Sequence, residues 1–280
     1  MNREVTINEI IKNCSRYYTS NDTIETYERY IRQFFEFCPK EIEEITKRDI
    51  VRWLAHLRNN EGFSSRTIHI CIAALKAFFE ECSFNEVVET NPALKLEWPK
   101  LEELEPKSLD NYTIFKLKEA VKKHPRDRAI VEVLHRTGIR VSELINIHIE
   151  DVWWDERQIW IRKGKGLKER IVPISRICKH YLQEYLATRN DDNPFLFISK
   201  RNKEFTRQGI YKIIKKYCKK AGIKENVYPH RFRHTLITEL INKGADEAKV
   251  ADLSGHKNLD SLQTYAKASK TKLKTEYDRM

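Results

Sequence analysis

Four short stretches of the sequence place polar groups at turns or helix starts, where they could handle phosphate or protons. In the first, Thr137-Gly138-Ile139-Arg140-Val141-Ser142-Glu143-Leu144, one helix ends at the glycine and another begins, so Arg140 stands at the junction. A guanidinium there can point into a cleft and bind two phosphate oxygens at once. The plainer alternative is an arginine paired with Glu143 on the surface. The second stretch is the basic turn around Lys165, where a lysine can project outward and protonate a leaving alkoxide, although most lysines in turns are only solvated. The third is Pro229-His230-Arg231-Phe232-Arg233-His234. Proline sets a helix start, and His230 and Arg233 fall one turn apart on one face at its positive end, a plausible phosphate clamp. His234 lies on roughly that face too, and local reading does not choose between the imidazoles. The fourth is Leu253-Ser254-Gly255-His256, with Tyr265 nine residues later. The glycine lets the chain turn so that His256 faces inward. Tyr265 alone, one of 12 tyrosines, reads as a core or interface ring.

These residues need a scaffold, and the hydrophobic periods supply one. Ile24, Tyr27, Tyr30, Ile31, Phe34, Phe35 and Cys38 recur at three- and four-residue steps. A second helix is expected from Thr46, an N-cap with Asp49 three positions on, and carries Ile50, Trp53, Leu54 and Leu57. Ser64-Ser65 caps a third, with Ile68, Ile72, Leu75, Phe78 and Phe79 on one face. Residues 1–90 therefore read as a small helical bundle. Residues 91–108 hold three prolines and four acidic residues and read as a linker. Beyond them, helices are expected over residues 112–121, 126–135, 175–189, 206–221, 230–243 and 246–254. Residues 158–162 and 169–173 flank the turn of Lys165 as the strands of a β-hairpin. The fold class is mainly α with a small β-sheet (α+β), with a second domain over residues 109–280.

The formal net charge is +11. Residues 1–106 carry 14 basic against 19 acidic side chains, and residues 107–280 carry 38 against 22, so the excess sits wholly in the second part. That balance favours a polyanionic partner, most often nucleic acid. The six cysteines (Cys14, Cys38, Cys71, Cys82, Cys178, Cys218) show no C-x-x-C pair and no nearby His at ligand spacing. They read as reduced, half-buried structural residues, with neither a zinc site nor a disulfide framework. No apolar run approaches the roughly 18 residues that would cross a bilayer, and the polar N-terminus does not read as a signal peptide. A cytoplasmic protein without membrane contact is the expectation.

Together the four stretches resemble the tyrosine recombinase family of phage integrases and Xer-like proteins. The match runs in order through Arg140, Lys165, His230 with Arg233, His256 and Tyr265. The likeness extends to residues 1–90 as a core-binding, DNA-clamping domain and to residues 109–280 as a catalytic domain with a C-terminal tail. Two flanking positions depart from the pattern: Phe232 and Ser254 each stand where leucine is usual. The resemblance implies a site-specific recombinase that acts on double-stranded DNA. Tyr265 would attack the scissile phosphodiester, leaving a 3′-phosphotyrosyl link and a free 5′-hydroxyl. Arg140 and Arg233 would stabilise the phosphate, Lys165 would protonate the departing oxygen, His230 would be the acid–base partner of Tyr265, and His256 would donate a hydrogen bond. No cofactor, nucleotide or metal is needed. A homotetramer on two DNA sites, passing through a Holliday junction, is implied, with room for a partner recombinase or accessory protein.

The acidic balance of the first part calls for a basic face on an otherwise acidic domain, assigned to Lys47, Arg48, Arg52, Arg66 and Lys76. The two-domain form, with no additional N-terminal DNA-binding domain, points to a Xer-like or transposon-resolvase-like role over phage integration. The rival readings are a type IB topoisomerase, which shares the chemistry, and a catalytically silent DNA-binding regulator; an RNA-binding module lacks a pattern of stacking aromatics. Target sequence, cleavage spacing and cis or trans cleavage leave no mark in the sequence.

Overall fold

The computed structural model describes residues 3–14, 21–101, 108–162 and 169–255. The chain divides into two compact units, Met1–Leu104 and Glu105–Met280.

The first unit is built on helices α1 (Arg3–Cys14), α2 (Asn21–Phe37), α3 (Lys47–Asn59) and α4 (Ser65–Phe84). α4 carries buried residues around most of its circumference, among them Cys71, Ala74, Leu75, Phe78, Phe79 and Cys82, and it packs against the other three helices. A helix apolar on so many sides can be satisfied only at the centre of a bundle. Aromatic rings fill the space between α2, α3 and α4. Phe34 meets Trp53 edge-on at 5.4 Å, and Phe35 meets Phe78 at 5.3 Å, the geometry that ring quadrupoles favour. The expected start of α3 is a full capping box, in which Thr46 Oγ1 accepts from the Asp49 amide and the Asp49 carboxylate accepts from the Thr46 amide at 3.0 Å. Ala93 and Leu96, from the proline-bearing stretch, also join this core.

The second unit runs α5 (Asn111–Val121), α6 (Pro125–Thr137), α7 (Val141–Leu144), strands β1 (Val152–Trp153), β2 (Gln158–Ile161) and β3 (Arg170–Pro173), then α8 (Arg176–Leu186), α9 (Arg207–Lys220), α10 (Pro229–Asn242) and α11 (Glu247–Ser254). The sheet is antiparallel in the order β1-β2-β3, with Ile159 opposite Val172 and both fully buried. β1 and α1 go beyond the elements expected from the sequence, and α7 is the helix expected to begin just past Gly138. α6 is the hub, contacting α5, α8 and α10 through a buried face that includes Ile130, Val133 and Leu134. All six cysteines are free, and they are buried where half-burial was expected. Burial raises the Cys14, Cys71 and Cys178 thiols to about 12, so they pack as neutral, unreactive groups. No helix among the described residues is long and apolar enough to cross a membrane.

Candidate active site

The site begins at the C-terminus of α6. Gly138 closes that helix in the left-handed conformation, φ +60°, which a β-carbon disfavours. Glycine is required here for a second reason: a Cβ would lie 2.9 Å from Leu236 Cδ2 and 3.7 Å from the Arg233 backbone. That close approach lets α10 lie directly against the turn. Arg233, 1% exposed, donates from Nη1 to the Gly138 carbonyl at 3.0 Å. Two residues past the glycine, Arg140 is the N-cap residue of α7.

The Arg140 guanidinium is fixed at both ends. Nη1 donates to Glu143 Oε1 at 3.0 Å, and Nη2 donates to the Gly255 carbonyl at 2.8 Å. The pairing with Glu143 foreseen as surface decoration is therefore real but not superficial, since Glu143 is 4% exposed. Arg170, at the start of β3, grips the same carboxylate with two bonds of 2.8 Å and sends Nε to the Leu253 carbonyl at 3.0 Å. Burial by itself would raise the Glu143 pKa. The Arg170 hydrogen bonds and charge, with help from Arg140, outweigh it and hold the carboxyl below its usual value. One buried carboxylate thus orients two guanidiniums, and these in turn satisfy carbonyls at the C-terminal end of α11, where a helix leaves its acceptors unpaired. Gly255 ends α11 at φ +67° with the Arg170 guanidinium packed 3.1 Å from where a Cβ would be.

His230 sits in the first turn of α10, exposed at its surface yet crowded by its neighbours. Loss of solvent, then the charges of Arg233 and Arg140, lower its pKa below the ordinary imidazole value. His234 packs edge-on against it, ring centroids 4.4 Å apart, and is lowered further, to about 4, by burial and then by His230, Arg233 and Arg231. Both rings are therefore neutral near pH 7. His230 is the more open, and it is the one whose surroundings include Arg140. Arg231, between them in sequence, turns away into a structural role, bonding Glu225 at 2.6 Å and the Ser108 carbonyl at 3.0 Å.

The structure thus brings together Arg140, His230 and Arg233, and adds Glu143 and Arg170, which sequence reasoning did not single out as functional. Lys165, His256 and Tyr265 lie outside the described residues. The two departures from the family pattern both pack: Phe232 is fully buried in the core, and Ser254 turns its hydroxyl back to the Val250 carbonyl at 2.6 Å. In the first unit, Lys47, Arg48 and Arg52 are exposed on α3 and Arg66 is exposed on α4. Lys76 is partly buried, with its ammonium 4.5 Å from the Trp98 ring centroid. No group of His, Cys, Asp and Glu that could hold a metal ion occurs among the described residues.

Comparison with known proteins places this geometry. Residues 107–272 match the phage integrase family, and residues 7–88 match the phage integrase N-terminal SAM-like domain. The tyrosine recombinase XerA of Pyrococcus furiosus is 37% identical over 266 residues, covering 93% of this chain and 88% of that relative. The tyrosine recombinase XerC of Leptospira interrogans is 33% identical over 273 residues, covering 92% and 86%. Among solved structures, a XerA recombinase superposes with TM-score 0.56 at 31% identity over 97% of both chains. A lambda integrase fragment bound to a core site gives TM-score 0.78 over 92% of this chain and 96% of that one; at 17% identity this likeness speaks for the fold alone. The chain belongs to the phage integrase family of tyrosine recombinases, as a Xer-like site-specific recombinase.

Proposed function

We propose that this recombinase cuts and rejoins double-stranded DNA through a 3′-phosphotyrosyl bond to Tyr265, exchanging strands through a Holliday junction. The attack expels the 5′ oxygen, which takes its proton from Lys165, and the bond energy is kept in the phosphotyrosine, so no nucleotide or metal cofactor enters. Arg140 and Arg233 neutralise the non-bridging oxygens, and His256 donates a further hydrogen bond. His230 takes the Tyr265 proton. Its lowered pKa suits that task, because a neutral imidazole has a free lone pair at pH 7.

The observation that carries this reading is the convergence of two anchored guanidiniums on one neutral imidazole at the Gly138–Arg140 turn. A guanidinium held in advance costs no reorganisation when charge develops on the phosphate. Residues 1–90 serve as the core-binding domain, contacting DNA through Lys47, Arg48, Arg52, Arg66 and Lys76. Residues 91–108 link it to the catalytic domain, residues 109–280 with the tail. Similar folds have been solved on DNA, including the Tn1549 transposon integrase in complex with a circular intermediate DNA, which supports DNA as the target. The working form is a homotetramer on two DNA sites in the cytoplasm.

Covalent trapping tests the chemistry. Wild type and Tyr265→Phe are incubated with labelled DNA from around the native gene, without metal, and SDS-resistant adducts are scored. An adduct with wild type alone supports Tyr265 as nucleophile. One that persists in the variant moves the nucleophile to another residue, Tyr277 first. Specific binding with no adduct from either protein, even with candidate partner recombinases added, points to the silent regulator.

A further inference from the structure

The second unit holds another concentration of positive charge, made of residues that the catalytic cluster does not use. A groove of about 450 Å³ is lined by Lys118 of α5, by Arg128, Glu132 and Arg136 of α6, and by Arg176 and Tyr181 of α8. Glu132 is fully buried and is the carboxylate of the group. Lys118 Nζ lies 2.6 Å from it, Arg128 Nη2 2.8 Å and Arg136 Nε 4.0 Å. The Arg128 contact is an ion pair that lacks hydrogen-bond alignment, since Glu132 Oε1 has no hydrogen-bond partner among the described residues. Arg176 adds a fourth cation, exposed, with no ion-pair partner among those residues. Four cations therefore answer to one carboxylate.

The excess is felt locally. Burial first, then the Lys118 and Arg136 charges, push buried His135 down to about 3, and burial lowers Lys118 as well. Arg128 is held with Nη1 donating to the Lys118 carbonyl at 2.5 Å and its guanidinium 4.4 Å from the Tyr181 ring centroid, and its buried Nε has no hydrogen-bond partner among the described residues. A partly dry groove in which four cations face one carboxylate is destabilised by its own charge, and an anion relieves it. We infer that this groove between α5, α6 and α8 is an anion site that takes a phosphate group on Arg128, Arg136 and Arg176, with Lys118 behind them. The phosphate belongs either to a free nucleotide or polyphosphate or to DNA backbone beyond the cleavage site.

The test uses the full chain and the double variant Arg136→Gln/Arg176→Gln, whose altered residues are at the surface, with Arg128→Lys as a second variant that keeps charge but loses the fork. Pyrophosphate is titrated calorimetrically, and affinity for a duplex extending past the cleavage site is measured against salt. Pyrophosphate binding about tenfold or more weaker in the double variant, with an unchanged DNA salt slope, identifies free phosphate compounds. A salt slope shallower by about one to two, with or without the pyrophosphate effect, identifies DNA backbone. Unchanged pyrophosphate affinity together with an unchanged slope overturns the proposal.

Discussion

The two units of this recombinase differ most in what they bury. The core of Met1–Leu104 is aliphatic and aromatic, and its buried charged side chains among the described residues are Asp49, at a helix start, and Glu81. The core of the second unit holds Asp127, Glu132, Glu143, Asp151, Arg231 and Arg233 within its shell. Burying charge costs free energy unless each group is paired, so a fold concentrates it where position matters more than stability. The contrast locates the chemistry: Arg140 and Arg233 are held by carbonyls at Gly138 and Gly255 and by the carboxylate of Glu143, whereas Trp53 and Phe34 hold only each other and their neighbours.

Two substitutions of equal expected cost separate the units. Trp53→Ala opens a cavity in the first core, and Glu143→Ala leaves two guanidiniums partly unpaired in the second. Each lowers stability by about 3–5 kcal/mol, read as denaturant midpoints resolved for the two units. Their effects on chemistry differ. Assayed below both transitions on saturating DNA, Trp53→Ala retains covalent trapping, while Glu143→Ala loses on the order of a hundredfold in rate as Arg140 is released. Equal rates for the two variants would mean that buried charge in the second unit is structural only. A smaller effect is expected at Gly138→Ala, where a left-handed backbone and a 2.9 Å contact with Leu236 coincide. It costs about 1–3 kcal/mol and loosens the seat of Arg233, so a melt and a trapping assay should fall together.

How much of this was legible in the sequence follows the same division. Local signals are legible: Thr46 with Asp49, Ser64, Pro229 and the helix end at Gly138 each act within one turn of chain. The paired strands around the Lys165 turn were legible from their apolar content, but β1 is two residues long and offers no period to read. Glu143 looked like a surface partner because its burial depends on Arg170, 27 residues away on β3, which no local spacing reveals. The anchoring of Arg140 on Gly255 spans 115 residues and was equally hidden. Residue types announced the candidate site, and the tertiary pairing that holds it did not show.

The units should also part company in mild acid. Burial, then Lys118 and Arg136, depress His135 to about 3, so the folded state refuses a proton that the unfolded chain accepts near 6.5. The unfolded state binds more protons between those values, so stability contributed by the neutral ring is whole above pH 6.5 and is lost as pH falls. By pH 5.5 the loss from this one group is about 1.4 kcal/mol. Urea melts of wild type and His135→Gln between pH 7.5 and 5.5 should show the second unit of wild type losing that much more than the variant. Parallel pH profiles would place the acid sensitivity elsewhere.

Asp49 carries the matching expectation for the first unit, at lower pH and smaller size. Hydrogen bonds from Lys40 and then Thr46 hold its carboxyl down at about 2. A depressed acid stabilises the fold above its unfolded value near 4, and that contribution disappears as pH falls toward 2. Thr46→Ala removes one side of the capping box and costs about 1 kcal/mol at pH 7. The cost should shrink only as pH falls toward 2, where Asp49 of the folded chain takes up its proton and holds the Thr46 amide and hydroxyl less strongly. A cost that stays constant down through pH 2 would make Thr46 an ordinary cap, independent of the charge of Asp49. A cost that fades with acid would show that even the apolar unit uses its buried carboxylate as the second unit uses Glu143, to fix the start of a helix.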